Sequence, residues 1–438
     1  MKEILQQRRH RLSRLIQSGV AIIPTAPEKI RNKDAHYPYR ADSYFHYLTG
    51  FNEPEAIVVI SGREGGRSIL FCREKNEERE IWDGFRYGPE AAKSTFGFDE
   101  AYAIESIDQI LPELLGDIDQ IFTPIGTGSS WDTRIFKWLN TTRQRTREGI
   151  NAPDRLVDVR SILDEMRLIK DSVEQDTMRE AASISSQAHI LAMRMTQPGK
   201  FEYEIEAELL YHFKKNGSQY PAYTSIVAGG KNACVLHYIE NNSVLNDGEL
   251  LLIDAGCELD GYASDITRTF PINGKFTGAQ KELYDLVLDA QLAAIDQTRP
   301  GNSWDAPHEA AVRVLAQGFI DLKLCHGSLD QVLETRDYFK FYMHRTGHWL
   351  GKDVHDVGNY KINGGWRQLA PGMVLTVEPG CYIRESEEIP KEFWNIGIRI
   401  EDDALVTETG CEIITADTPK SVNDIEALMA AQDCGGRG

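Results

Sequence analysis

The sequence is short of the features that mark several common classes of protein. No apolar run approaches the ~18 residues of a membrane-spanning helix. The opening stretch MKEILQQRRHRLSRLIQSG reads as a charged helix, without the apolar core of about 7–15 residues that a secretory signal carries. Basic residues are outnumbered, 48 Lys and Arg against 67 Asp and Glu, leaving a formal net charge of −19. That deficit argues against a nucleic-acid or anionic-lipid surface, because phosphates are held mainly by clusters of Lys and Arg. The 7 cysteines are scattered, odd in number and free of any C-x-x-C pair, which suits reduced thiols and a cytoplasmic location. Nucleotide and serine-hydrolase signatures are missing as well. The GTGSSW segment at Gly126 lacks the third glycine of a dinucleotide fingerprint, and there is no Walker or G-x-S-x-G pattern.

What is present is a globular composition, 41% hydrophobic and 26% charged, over 438 residues. At ~150 residues per domain the length suggests two or three units. The N-terminal part alternates short β-like runs at 21–23, 56–60, 68–72 and 120–124 with helical segments such as 99–115, the pattern of an α/β domain. After a polar stretch at 141–155, the period changes at Asp171 to a long helix in which Ile184, Ala188, Leu191 and Met195 share a face. The boundary is therefore placed at Leu168, giving domains 1–168 and 169–438. In the second, helices are expected at 202–216 and 280–296 among hairpin-like strands, and the tail QDCGGRG is expected to be disordered.

The stretch ELLLIDAGCELDGYASDITRTF carries the first chemical signal. If Asp260-Gly261 is a two-residue turn, Leu259 faces Tyr262, Asp254 opposes Thr267 and Asp265 opposes Gly256. The two aspartates then lie on one face of neighbouring strands, offset diagonally, with backbones ~7–8 Å apart. Two anions on a buried face require cations or a proton, and a pair of metal ions ~3.5–4 Å apart suits such a gap. Two further apolar runs end in acids: MVLTVEPG places Glu378, and NIGIRIEDD places Glu401 with Arg399 on the same strand face. MHRTGHWLGKDVHDVG adds His344, His348 and His355. Gly347 disfavours a helical zinc pair there, so one imidazole ligand is expected. Asp254, Asp265, His348, Glu378 and Glu401 supply four carboxylates and one imidazole, whose charge balances two divalent ions. So oxygen-rich a set favours Mn(II), with Co(II), Zn(II) and Mg(II) as alternatives.

Taken in order, IDAG…D, GHWLG…VHD, TVEPG and GIRIEDD resemble the pita-bread dinuclear metallopeptidases, and among these the aminopeptidase P (Xaa-Pro aminopeptidase) family. HYPYRADSYFHYLTGFNEPEA and EIWDGFRYGPEAA resemble that family's N-terminal domain, so the likeness runs from about Arg8 to Met429. The resemblance implies an α/β N-terminal domain followed by an α+β catalytic domain of pita-bread type. It implies hydrolysis of peptides with proline at the second position by a metal-bridging hydroxide, with Asp265 and Glu401 shared by both ions. It gives Glu378 a proton-shuttling role besides ligation. His237, His355 and Arg399 become catalytic groups on the substrate side, and Tyr223, His344 and Tyr382 substrate-binding groups. A tryptophan in the context of Trp82 reaches a neighbouring subunit in that family, which implies a homodimer or homotetramer. The competing readings are a prolidase restricted to Xaa-Pro dipeptides and a metal-free relative acting as a binding module.

Overall fold

The computed structural model describes residues 1–63 and 65–431; the tail QDCGGRG lies outside the described residues. The chain divides into two compact units, Met1–Arg167 and Leu168–Gly438.

The first unit is built on a six-stranded sheet of β1 (Val20–Pro24), β2 (Ile57–Ser61), β3 (Ser68–Cys72), β4 (Glu100–Ala103), β5 (Gln120–Thr123) and β6 (Arg155–Asp158), in the order β4-β3-β2-β1-β5-β6. The central strands are apolar on both faces. Ala21, Val58 and Leu70 pack with Leu12 and Ile16 of the first helix on one side. Val20, Val59 and Phe71 pack with Leu111 and Trp138 on the other. The expected helix at 99–115 is corrected: the segment opens as β4, and only Ile107–Leu114 is α-helical. Parallel pairing of the edge strand β4 along β3 supplies the backbone partners, and that tertiary pairing overrides local helix preference.

The second unit carries the sheet β7 (Ile226–Gly229), β8 (Leu250–Asp254) and β9 (Thr267–Pro271), ordered β7-β8-β9. Further along the chain β10 (Val374–Val377), β11 (Gly380–Ile383), β12 (Ile396–Arg399) and β13 (Asp402–Val406) form two antiparallel pairs, β10 with β13 and β11 with β12. A bridge between Thr267 and Glu401 ties the start of β9 to the junction of β12 and β13. The helices Ser172–Met195, Glu202–Lys215, Gly278–Gln297 and Ala306–Asp321 contribute to one core with Leu251, Ile253, Phe270, Ile398 and Ile400. The expected helices at 202–216 and 280–296 are therefore found. Ala306–Asp321 was not anticipated from the sequence. Its Pro307 reads as a breaker but sits in the first turn, where the missing N–H leaves no bond unmade.

The hairpin register is as its turn dictates. Leu259 pairs with Tyr262 and Asp254 with Thr267, and both turn residues are left-handed, φ 49° at Asp260 and 77° at Gly261. The ladder is interrupted between these pairs, so Asp265 lies just ahead of β9 rather than within a strand. Gly256 faces this gap. A Cβ there would stand 1.8 Å from the carbonyl oxygen of Ser264, so a side chain would displace the segment that carries Asp265.

Candidate metal centre

Strand ends bring the acids together. Asp254 terminates β8, Glu378 follows β10 directly, and Glu401 sits between β12 and β13. His348 arrives on a loop fixed by the Trp349–Leu375 bridge, and its backbone N–H donates to Thr376 Oγ1 at 3.1 Å. A Cβ on Gly347 would lie 2.1 Å from the carbonyl oxygen of Thr376, so the absence of a side chain lets this loop approach β10. No helix forms over 344–348, consistent with one imidazole ligand from this stretch.

Donor atoms of Asp265, His348 and Glu401 all lie within 4.8 Å of one another. His348 Nε2 is 3.4 Å from Asp265 Oδ2 and 3.7 Å from Glu378 Oε1. Its Nδ1 hydrogen-bonds the Trp349 carbonyl at 3.0 Å; a carbonyl can only accept, so Nδ1 carries the proton and Nε2 is free to ligate. The Tyr223 hydroxyl lies 2.6 Å from Asp254 Oδ1 and 2.5 Å from Asp265 Oδ1, joining the two aspartates. Arg399 holds the other oxygen of Asp254 at 2.5 Å and also donates to the Tyr382 hydroxyl and to Thr267 Oγ1. Thr267 in turn donates to Glu401 Oε2 at 2.6 Å.

The electrostatics fit divalent cations. Burial, with His348 and Arg399 partly offsetting it, pushes the Glu378 carboxyl up to about 7. Burial and the neighbouring Asp265, Glu378 and Asp254 push Glu401 well above the carboxylate range, and burial raises Asp265 too. His348 moves up to about 9 because Asp265 and Glu378 outweigh the opposing effect of its burial. Buried acids that hold protons against one another, around an imidazole whose Nε2 points among them and holds a proton too, form a donor set short of positive charge. One arginine does not supply it; divalent cations would.

Most of the other residues singled out from the sequence line one cavity of about 770 Å³, Tyr223, His237, His344, His355 and Arg399 together with the acids, while Tyr382 stands behind His344 and Arg399 and faces a neighbouring cavity. His355 stands edge-on to His348, ring centroids 4.4 Å apart. His344 hydrogen-bonds the Tyr382 hydroxyl at 2.8 Å, and burial with the Arg399 charge lowers it to about 3, so it is neutral at ordinary pH. His237 reaches the cavity from an exposed loop. Trp82 belongs to the first unit and is 83% exposed. The support for these groups comes from residues that no sequence motif marks. Arg268 and Asp402, both fully buried, form an ion pair directly behind Glu401, whose carbonyl also accepts from Arg268. Asp403 accepts from the Asp265 backbone N–H at 3.1 Å. The run of acids in IEDD was the one visible trace of this layer.

Residues 176–408 match Metallopeptidase family M24, and residues 5–122 match Aminopeptidase P, N-terminal domain. The chain belongs to metallopeptidase family M24. This M24 peptidase is 44% identical to the Xaa-Pro aminopeptidase of Escherichia coli over 98% of each chain. It superimposes on the aminopeptidase PepP of Pseudomonas aeruginosa with a TM-score of 0.97, at 49% identity over 99% of both chains. A zinc-substituted E. coli aminopeptidase P in complex with product matches with a TM-score of 0.96, at 43% identity over 99% of both chains. The architecture is thus an aminopeptidase P N-terminal domain followed by a pita-bread catalytic domain, as the sequence led us to expect. The M24 assignment makes the chain an enzyme, a metal-dependent peptidase. No helix among the described residues is long and apolar enough to cross a membrane.

Proposed function

We propose that this M24 peptidase is an Xaa-Pro aminopeptidase, releasing the N-terminal residue from peptides whose second residue is proline. The observation that carries the reading is the coexistence, in one chain, of the aminopeptidase P N-terminal domain and a catalytic domain in which donor atoms of Asp265, His348 and Glu401 lie within 4.8 Å of one another. In this reading 1–168 is the N-terminal domain and 169–438 the catalytic one.

Asp254, Asp265, His348, Glu378 and Glu401 would hold two divalent ions, Mn(II) in preference to Co(II), Zn(II) or Mg(II), which supply Lewis acidity and acidify water. Asp265 and Glu401 would be the carboxylates shared between them. Tyr223 spaces the aspartates through its hydroxyl, and Arg399 fixes the outer oxygen of Asp254. The bond before proline is a tertiary amide whose nitrogen must be protonated to leave. Glu378, borderline in its affinity for a proton, delivers one to that nitrogen. His237 and His355 donate hydrogen bonds to substrate carbonyls, one of them where charge develops. Neutral His344 and Tyr382 form the wall against the proline ring, with Arg399 donating to Tyr382 so that the tyrosine hydroxyl proton points to His344. A cytoplasmic homodimer or homotetramer completes the reading, supported by the free cysteines among the described residues and by the exposed Trp82.

A prolidase would need a cation free to read the proline carboxylate. Arg399 is only 4% exposed and is engaged by Asp254, Tyr382 and Thr267, so the geometry favours the aminopeptidase. Mn-loaded enzyme offered Xaa-Pro and Xaa-Pro-Xaa side by side should cleave the tripeptide and spare the dipeptide; turnover of the dipeptide alone would move the assignment to prolidase.

His355→Ala is expected to lower kcat about 10²-fold, the usual effect of losing one donor to a developing oxyanion, while both metals stay bound. Metal analysis of the purified variant decides the point, since a metal-poor protein would make His355 a supporting group of the ligand set.

A further inference from the structure

The segment that carries His237 leaves β7 at Gly229, passes through a tight turn at Gly230–Cys234 and returns at Ser243. Apolar packing holds only part of the loop: Ala233 and Tyr238 are buried against Ile226, Ala228 and Leu252, whereas Val235 and Ile239 on either side of His237 are 49% and 54% exposed. His237 lines the cavity from there.

Beneath this loop lies Glu202, the first residue of the helix Glu202–Lys215 and fully buried. Its carboxylate accepts four hydrogen bonds, all from the loop or its two ends. Oε1 takes the Gly229 N–H at 2.8 Å and the Asn232 amide at 2.9 Å. Oε2 takes the Tyr238 hydroxyl and the Ser243 N–H, each at 2.8 Å. None of these donors is a cation. The carboxylate charge is offset by directed dipoles and by its place at a helix N-terminus. A buried acid arranged in this way has both oxygens committed, and every commitment is to the chain on one side or the other of His237. On the far side Asn241, itself left-handed with φ 47°, accepts from the Val227 N–H and donates to the Ser225 carbonyl.

We propose that Glu202 is a positioning residue for catalysis: it clamps the 229–243 loop so that His237 presents its ring to the substrate. The inference rests on the role given to His237 above, and the test separates the two. Glu202→Gln keeps the shape, but its amide nitrogen cannot accept, so two of the four donors lose their partner. kcat, KM, metal content and melting temperature are to be measured on an Xaa-Pro-Xaa peptide for Glu202→Gln, His237→Ala and the double variant.

His237→Ala alone is expected to lower kcat/KM about 10²-fold. Glu202→Gln alone should lower it about 10-fold, mainly in kcat and with metal content unchanged. Added to His237→Ala it should cost less than twofold, because residues that act through one another are not additive. An equal penalty in both backgrounds, or no penalty at all, overturns the clamp. Full activity in His237→Ala overturns the role of His237 and the clamp with it. If Glu202→Gln fails to fold, Tyr238→Phe carries the same cycle, since it removes the single tie next to His237. About a threefold fall in kcat that vanishes in the His237→Ala background supports the proposal, and the same fall in both defeats it.

Discussion

Asp265→Ala is expected to abolish hydrolysis, lowering kcat/KM by at least about 10³-fold, since ions at such a site contribute several kcal/mol of transition-state stabilisation. The geometry explains why this aspartate should matter more than its neighbours. It is the acid nearest to His348 Nε2, shares the Tyr223 hydroxyl with Asp254, and belongs to the tight trio with Glu401. Alanine also leaves that hydroxyl with one acceptor and removes a charge from both proposed ion positions. Bound metal should fall in parallel, measured by elemental analysis after gel filtration. Turnover at normal metal content would end the claim that Asp265 is shared between ions. Because the Asp265 backbone N–H is held by Asp403, the loop should keep its course in the variant, so the far-ultraviolet circular dichroism should match that of the parent.

Arg268→Leu is expected to act on stability. Arg268 and Asp402 are both fully buried, 2.6 Å apart, and the guanidinium also donates to the carbonyls of Thr267, Glu401, Thr418 and Pro419. Removing Arg268 leaves Asp402 in the interior with Lys420 as its one remaining cation among the described residues and strips four carbonyls of a donor, at a cost of about 3 kcal/mol, the lower end of the range for breaking a buried pair. For a unit of this size that corresponds to a fall in Tm of roughly 10 °C. A shift within ~2 °C of the parent in calorimetry would refute the assignment. Although burial alone would raise the Asp402 carboxyl, Arg268 and Lys420 hold it below its ordinary value. A group depressed in this way stabilises the fold above the usual carboxylate range and loses its contribution as pH falls through its lower folded value. The deficit of Arg268→Leu should therefore be full at neutral pH and shrink in strong acid.

How much of this was legible in the sequence depends on whether a residue's partner lies nearby along the chain. The hairpin could be worked out to the residue, because Asp260-Gly261 sets the turn and a strand alternates faces with period two. Acids that end apolar runs were equally visible, which is how Glu378 and Glu401 came to notice. The helix Ala306–Asp321 was hidden by a proline that is harmless in a first turn. β4 was hidden because its strand character comes from β3 beside it. Asp402 showed only as one acid in the IEDD run, and Arg268 and Glu202 left no mark at all, since each is defined by hydrogen bonds to segments distant in sequence and no periodicity announces such partners.

Thr267 and Arg268 stand next to each other on β9 and face opposite ways, the first toward Glu401 and Arg399, the second into the pair with Asp402. The turn at Asp260-Gly261 therefore works as a gauge for a reaction centre it never touches. Deleting one residue there would keep every ligand in the chain while exchanging the two sides of the strand, presenting an arginine where a threonine belongs.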